Sequence, residues 1–282
     1  MGWKRSERLI DMTFHLINHP RELTPLTFFS EKYKAAKSSI SEDLTILKEV
    51  LQEEGLGKLI TVPGARGGVI FYAHTNEQKI RSFITALCSL IQQPDRLLPG
   101  GYLYLADIIG DPNIVEKVGY MFAALYSHKK IDAVMTVATK GIPLAYATAK
   151  YLNVPVVIVR RDPEITEGSM VSINYVSGST KRIQTMTLAR RSLKKGSSVL
   201  IVDDFMKAGG TIRGMINLLD EFHAQVAGIC VLVESEDVEK RLIDQYVSIV
   251  RLRQDGGEEQ KIEVQEGNFL KIFKELADDE NE

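Results

Sequence analysis

The sequence predicts an α/β protein in two parts: a winged helix-turn-helix unit over residues 1–74 and a parallel-sheet domain over residues 75–282. Three observations carry this reading. Three short helical patterns followed by a glycine-rich hairpin fill the first part, which is the element order of a winged helix. Beyond residues 74–77, strand-like and helix-like segments alternate, as they do in parallel sheets. The most apolar strand runs into two carboxylates and then a Gly-Gly-Thr loop, Val199-Leu200-Ile201-Val202-Asp203-Asp204-Phe205-Met206-Lys207-Ala208-Gly209-Gly210-Thr211.

In the first part, a helix is expected over about Ser6–Asn18, with Leu9, Ile10, Thr13, Leu16 and Ile17 on one face and Pro20 ending it. Thr24 is placed to cap a second helix with Pro25 at its first position; Leu26, Phe29 and Tyr33 form its stripe. A third follows Ala35-Ala36-Lys37. Ser39 and Glu42 have capping-box spacing, and Ile40, Leu44, Leu47 and Leu51 should face the core. Lys58–Val62 and Val69–Tyr72 then read as a hairpin, with Arg66 on a Pro-Gly-Ala-Arg-Gly-Gly tip.

In the second part, strands are expected at Tyr102–Ile109, Ala133–Ala138, Val156–Val159, Met170–Val176, Ile183–Ala189, Val199–Val202 and Ile229–Val233. Helices are expected at about Ile114–Tyr126, Pro143–Tyr151 and Thr211–Phe222. The acidic tail from Asp278 is expected to fray.

Composition narrows the class. Hydrophobic residues make up 44% and charged residues 26%, enough apolar side chains for ordinary cores. No apolar run has the length of a membrane span, and the polar, basic residues 1–8 do not resemble a signal peptide, so a cytoplasmic protein without a membrane partner is expected. Cys88 and Cys230 lie far apart in apolar stretches and read as small buried hydrophobes. No Cys/His cluster has metal-ligand spacing, and no metal site is expected. The net charge of −2 excludes a protein that coats nucleic acid by bulk charge, but not one that reads DNA with a few local cations.

The candidate site follows from the main motif. Ligands of open parallel sheets sit at the C-terminal strand ends, where helix N-termini and loop amides bind phosphate. Adjacent carboxylates suit a vicinal diol, because they accept hydrogen bonds from both hydroxyls. The run resembles the phosphoribosyl-diphosphate (PRPP) signature of type I phosphoribosyltransferases. That resemblance implies a diol on Asp204, beside Asp203, and a 5′-phosphate in the loop Lys207 to Thr211, which follows Phe205 and Met206. Ala208 stands where many members have threonine. Thr136 to Gly141 falls at the family's diphosphate loop, which makes Thr139, Lys140 and Gly141 candidates. Residues 160–190 fall at its mobile hood and look most like xanthine phosphoribosyltransferases, with Arg160, Arg161, Lys181 and Arg182 as basic candidates. Tyr102 lies near purine-contacting positions; core packing is its other reading.

Taken together, Lys4-Arg5-Ser6, Lys37 to Leu44, Leu98 to Tyr102 and Asp203 to Thr211 resemble the purine operon repressor family of Gram-positive bacteria. The resemblance implies a homodimer that binds operator DNA and responds to PRPP, some relatives being activators. Lys37, Ser38, Ser39, Ser41 and Thr45 lie opposite the core stripe of the third helix and are the candidate DNA contacts. Lys4, Arg5 and Arg8 can clamp the backbone, and Arg66 can reach a minor groove. Residues 1–74 carry ten Lys/Arg against nine Asp/Glu, so affinity must come from arrangement and dimeric avidity. The expected protein is a non-enzymatic regulator that senses PRPP, with Mg²⁺ accompanying the diphosphate. Guanosine tetraphosphate suits the same anion chemistry. The alternative is a working purine phosphoribosyltransferase with an accessory head.

Overall fold

The protein is described by a computed structural model covering all residues except 1, 65, 99–101, 163–167, 177–182, 239, 256–260 and 280–282, with backbone alone at 254–255, 261 and 277–279. Lys181, Arg182 and the Pro99-Gly100-Gly101 run therefore lie outside the described residues.

The first part packs α1 (Arg5–Asn18), α2 (Leu26–Tyr33) and α3 (Lys37–Glu53) against a three-stranded sheet of β1 (Thr24–Pro25), β2 (Lys58–Val62) and β3 (Gly68–Tyr72), ordered β1-β3-β2. Met12, Leu16, Phe29, Ile40 and Phe71 are buried at its centre. Three local expectations fail. Ile10 is 73% exposed, because the buried stripe of α1 runs through Met12 and Leu16 instead. Thr24 does not cap α2: its backbone pairs with Val69, so Thr24–Pro25 becomes an edge strand and α2 starts one residue later. The Ser39–Glu42 capping box does not form. Lys34 adopts a left-handed turn, the Ala35 amide bonds back to Ser30, and α3 starts at Lys37 after Ala36, which places Ser39 within the first turn.

Asp43, only 1% exposed, holds this part together from α3. It accepts Arg5 Nε at 2.9 Å and Arg8 Nε at 2.8 Å, both from α1.

The second part opens with α4 (Glu77–Ile91), capped by Asn76, whose side chain accepts the Lys79 amide. A short antiparallel pair follows, β4 (Leu97–Leu98) with β5 (Tyr102–Leu103). The strand expected over Tyr102–Ile109 is thus two residues long, and the chain turns into α5 (Ala106–Gly110), burying Ile108 and Ile109 from a helix. Next come α6 (Pro112–Leu125), β6 (Ala133–Val137), α7 (Ile142–Leu152), β7 (Val156–Val159), the antiparallel pair β8 (Met170–Val176) and β9 (Ile183–Ala189), β10 (Ser198–Met206), α8 (Gly210–Glu221) and β11 (Gln225–Ser235). β12 (Val247–Asp255), β13 (Lys261–Glu266) and α9 (Phe269–Asp279) complete the chain. The main sheet is ordered β13-β12-β11-β10-β6-β7 and is parallel except between β12 and β13. β10 does not stop before its carboxylates: Asp203 pairs with Val231 and Met206 with Glu234, so both acids lie within the strand. Cys230 is buried and Cys88 half-buried, and burial pushes the Cys88 thiol up to about 11, which keeps it inert.

The two parts meet at a bonded joint. The Tyr120 hydroxyl, from α6, bonds the carbonyls of Leu56 at 2.6 Å and His74 at 3.1 Å and accepts the His74 amide at 3.2 Å. Its ring meets Tyr151 of α7 edge-on at 4.7 Å. Arg21 donates to the carbonyls of Lys129 at 2.8 Å and Leu152 at 3.5 Å.

Replacing Asp43 with Ala leaves Arg8, whose side chain is 14% exposed, without its carboxylate. The expected cost is about 2 kcal/mol, less than for a wholly buried pair because Arg5 reaches solvent. Trp3, the single tryptophan, stacks edge-on against Tyr33, so urea unfolding followed by its fluorescence reads this loss. An unchanged midpoint would show that the pair is not structural.

Candidate functional site

β10 lies between β11 and β6, and its C-terminal end brings together two strand-to-helix loops. Residues 138–141 connect β6 to α7, and residues 207–209 connect β10 to α8. A cavity of about 280 Å³ opens there, lined by Thr139, Lys140, Arg161, Asp203, Asp204 and Thr211, with Val137, Ala138 and Phe205. Two carboxylates, two cations and two threonine residues thus converge at the C-terminal strand ends, where open parallel sheets bind ligands.

Asp203 is 3% exposed, and its Oδ1 accepts the Asp204 amide at 3.0 Å. Burial first, then the neighbouring Asp204 charge, holds the Asp203 carboxyl well above the usual carboxylate range. Burial raises Asp204 as well, with Asp203 and Lys140 pulling in the opposite direction. Two adjacent acids at a dry strand end therefore resist carrying two full charges until a donor such as a ligand hydroxyl arrives. The 138–141 loop packs directly on this pair. A Cβ on Gly141 would sit 2.1 Å from Thr136 Oγ1 and 3.1 Å from Asp203 Oδ1, so only glycine fits. Thr136 Oγ1 is itself buried without a hydrogen-bond partner.

The expected residues divide by position. Thr139, Lys140, Asp203, Asp204, Phe205 and Thr211 line the cavity, whereas Gly141 packs behind it. Met206 is core at 1% exposure and Lys207 faces solvent. Ala208 and Gly209 form the turn, Gly209 with φ +87°, and Gly210 starts α8. Tyr102 is 68% exposed and outside the cavity lining, so its core-packing reading fails. Arg161 lines the cavity, while the Arg160 backbone bridges to Thr187 of β9.

On the first part, Lys37, Ser38, Ser41 and Thr45 are exposed along the start of α3, and Ser39 is half-buried. Thr45 Oγ1 donates to the Ser41 carbonyl at 3.0 Å. Arg66 is exposed between β2 and β3, and Lys4 is exposed before α1, its amide donating to Glu7. Arg5 and Arg8 differ from these, because each commits its Nε to Asp43. Asp43 escaped notice in the sequence because an acid within a capping-box pattern reads as a solvated cap.

Residues 4–73 match the family model "Bacterial purine repressor, N-terminal". The chain is 60% identical over 275 residues to the purine biosynthesis transcriptional repressor of Bacillus subtilis (strain 168), covering 98% of this chain and 96% of that protein. The chain belongs to the bacterial purine repressor family. Residues 106–266 match the phosphoribosyl transferase domain model. A purine biosynthesis transcriptional activator of Lactococcus lactis subsp. lactis (strain IL1403) is 47% identical over 95% of this chain and 98% of its own. The xanthine phosphoribosyltransferase of Agathobacter rectalis is 33% identical over 50% of this chain and 78% of its own. Among solved structures, adenine phosphoribosyltransferase from Thermoanaerobacter pseudethanolicus superposes with a TM-score of 0.50 at 19% identity, over 60% of this chain and 98% of that one, which shows the fold.

The raised Asp203 value has a stability consequence. A carboxyl raised in the folded state supports folding while protonated, and that support is lost as pH climbs from the unfolded value through the folded one. Ligand-free Asp203→Asn should therefore melt about 2–4 °C above the parent at pH 7, with the difference closing below pH 4. Equal melting temperatures at both pH values in calorimetry would mean that Asp203 is not strained.

Proposed function

We propose that this chain is a homodimeric, cytoplasmic regulator of purine biosynthesis genes. Residues 1–74 read operator DNA, and residues 75–282 bind PRPP as an effector. The observation that carries the reading is the cavity holding Asp203, Asp204, Thr139, Lys140 and Thr211 on the same chain as the repressor-type head. The acids receive the ribose hydroxyls, Lys140 meets the diphosphate, and the 207–211 loop takes the 5′-phosphate. Guanosine tetraphosphate, with a ribose and clustered phosphates, competes for the same cavity. Mg²⁺ accompanies the ligand's diphosphate, which is a ready oxygen ligand for it. No helix among the described residues is long and apolar enough to cross a membrane.

The 60% identical relative is named a repressor and the 47% identical ones activators, and the nearer relative favours repression. The head and Ala208 favour a sensor over a working phosphoribosyltransferase. The enzyme alternative is tested by incubation with PRPP and each purine base, watching for nucleotide.

The DNA surface rests on Lys37 and Arg66. Lys37→Ala and Arg66→Ala should each weaken operator binding and reduce the salt slope by about one unit, the loss of one phosphate contact. Normal binding by both variants across a salt series would displace the surface elsewhere.

Effector and operator should oppose one another. Saturating PRPP is expected to weaken operator binding by roughly 5- to 150-fold, and operator must weaken PRPP binding by the same factor. Asp204→Ala should lower PRPP affinity by about 1.5–3 kcal/mol and leave ligand-free operator affinity unchanged. Operator affinity indifferent to PRPP in a fluorescence-anisotropy titration would separate the two activities.

A further inference from the structure

Behind the 207–209 loop, on the far side from the acids, sits a polar network that the site as described does not use. Glu234, near the end of β11, is 1% exposed. Its Oε1 accepts Ser248 Oγ at 2.8 Å and Arg251 Nε at 3.2 Å. Its Oε2 accepts the Tyr246 hydroxyl and lies 3.3 Å from Arg241 Nη2. The Arg241 guanidinium lies over the Tyr246 ring, 5.2 Å from its centroid, and donates to the Ser235 carbonyl at 2.7 Å. Its other nitrogen, Nη1, donates to the Lys207 carbonyl at 3.4 Å.

The next two residues extend the contact. The Leu242 amide donates to the Ala208 carbonyl at 2.9 Å. Ile243, 5% exposed, packs against Gly209 so closely that a Cβ there would meet its Cγ1 at 2.8 Å. Three successive residues, 241–243, thus seat three successive residues of the loop, 207–209. In a trans peptide the carbonyl and the following amide point in opposite directions. Holding the Lys207 carbonyl toward Arg241 turns the Ala208 N–H away from it. Holding the Ala208 carbonyl toward Leu242 does the same for the Gly209 N–H. These are the amides that a phosphate-binding loop must present.

The cost of the network points the same way. A buried carboxylate with two arginines is a poor source of net stability, since apolar packing of equal volume does as well. What it provides is a fixed direction for the guanidinium.

We propose that Arg241, oriented by Glu234, is a positioning residue that sets the 207–209 loop with its Ala208 and Gly209 amides turned toward the bound phosphate. The inference rests on the effector reading for its ligand, and on geometry alone for the brace. It touches no reacting atom and acts wholly through the loop.

The test uses the full chain and the variants Arg241→Ala, Arg241→Lys and Glu234→Gln. Amide hydrogen exchange across residues 205–213 is followed without ligand, and PRPP affinity is measured by calorimetry. Arg241→Ala should exchange faster in that peptide and bind PRPP about tenfold more weakly. Lysine, which cannot span Ser235 and Lys207 together, should not restore affinity, whereas added guanidinium ion should restore it in Arg241→Ala alone. Glu234→Gln should weaken PRPP in the same direction. Ligand-free operator binding should stay at the parental level, which separates a positioning role from general unfolding. Unchanged exchange in Arg241→Ala, or faster exchange with unaltered PRPP affinity, overturns the assignment. Failure of the parental chain to bind PRPP overturns the effector reading instead, and the exchange comparison still decides whether the brace exists.

Discussion

Asp203 sits in the middle strand of the parallel sheet and is 3% exposed, so its carboxyl is largely removed from solvent. Removing a charge from water costs several kcal/mol unless donors replace it. Much of the local architecture answers that constraint. β10 continues past both acids, so its ladder with β11 fixes where they point. Gly141 lets the neighbouring loop close onto the carboxyl, and Lys140 brings a positive charge to the rim. The arrangement is unfavourable for folding, a strain of the kind that gathers at binding sites.

The head resolves the same problem internally. Asp43 is as deeply buried as Asp203, but two arginines from α1 come with it. Charges that sequence alone assigns to the DNA backbone are thereby spent on holding α1 against α3. Lys37, Ser38 and Ser41 remain exposed along the start of α3.

Legibility in the sequence followed the range of the interaction. The sheet strands at Val156–Val159, Met170–Val176 and Ile183–Ala189 were readable residue for residue, because period and punctuation are local. Six of the nine cavity-lining residues, Thr139, Lys140, Asp203, Asp204, Phe205 and Thr211, were readable because one continuous motif and one second loop carry them. Thr24 was not, since a cap and an edge strand look alike until Val69 is known to lie opposite. Tyr102–Ile109 misled because a buried apolar run of that length fits a helix as well as a strand. α4 carried its own signal, Asn76 followed by Ile80, Ile84, Leu87 and Ile91, and was passed over beside the more obvious body motifs. β12, β13 and α9 lie beyond the last motif and were passed over, although the apolar run of β12 and the helical spacing of Phe269, Ile272 and Phe273 in α9 are local signals. The Arg241–Glu234 contacts join residues that no short window contains.

α7 begins at the cavity loop and ends against the head. Its N-terminus is the Gly141 turn beneath Asp203, and its C-terminal end presents Tyr151 to Tyr120 and the Leu152 carbonyl to Arg21. Eleven helical residues make a rod of about 16 Å. The head is not hung from a slack cord at residue 74. It is joined to the second part by hydrogen bonds to Tyr120 of α6, to the Lys129 carbonyl and to the Leu152 carbonyl at the end of α7. A helix transmits a push along its axis with little loss, because its packed neighbours resist compression. The cavity loop at 138–141 and the base of the winged domain are thus connected along one helix, without passing through the sheet.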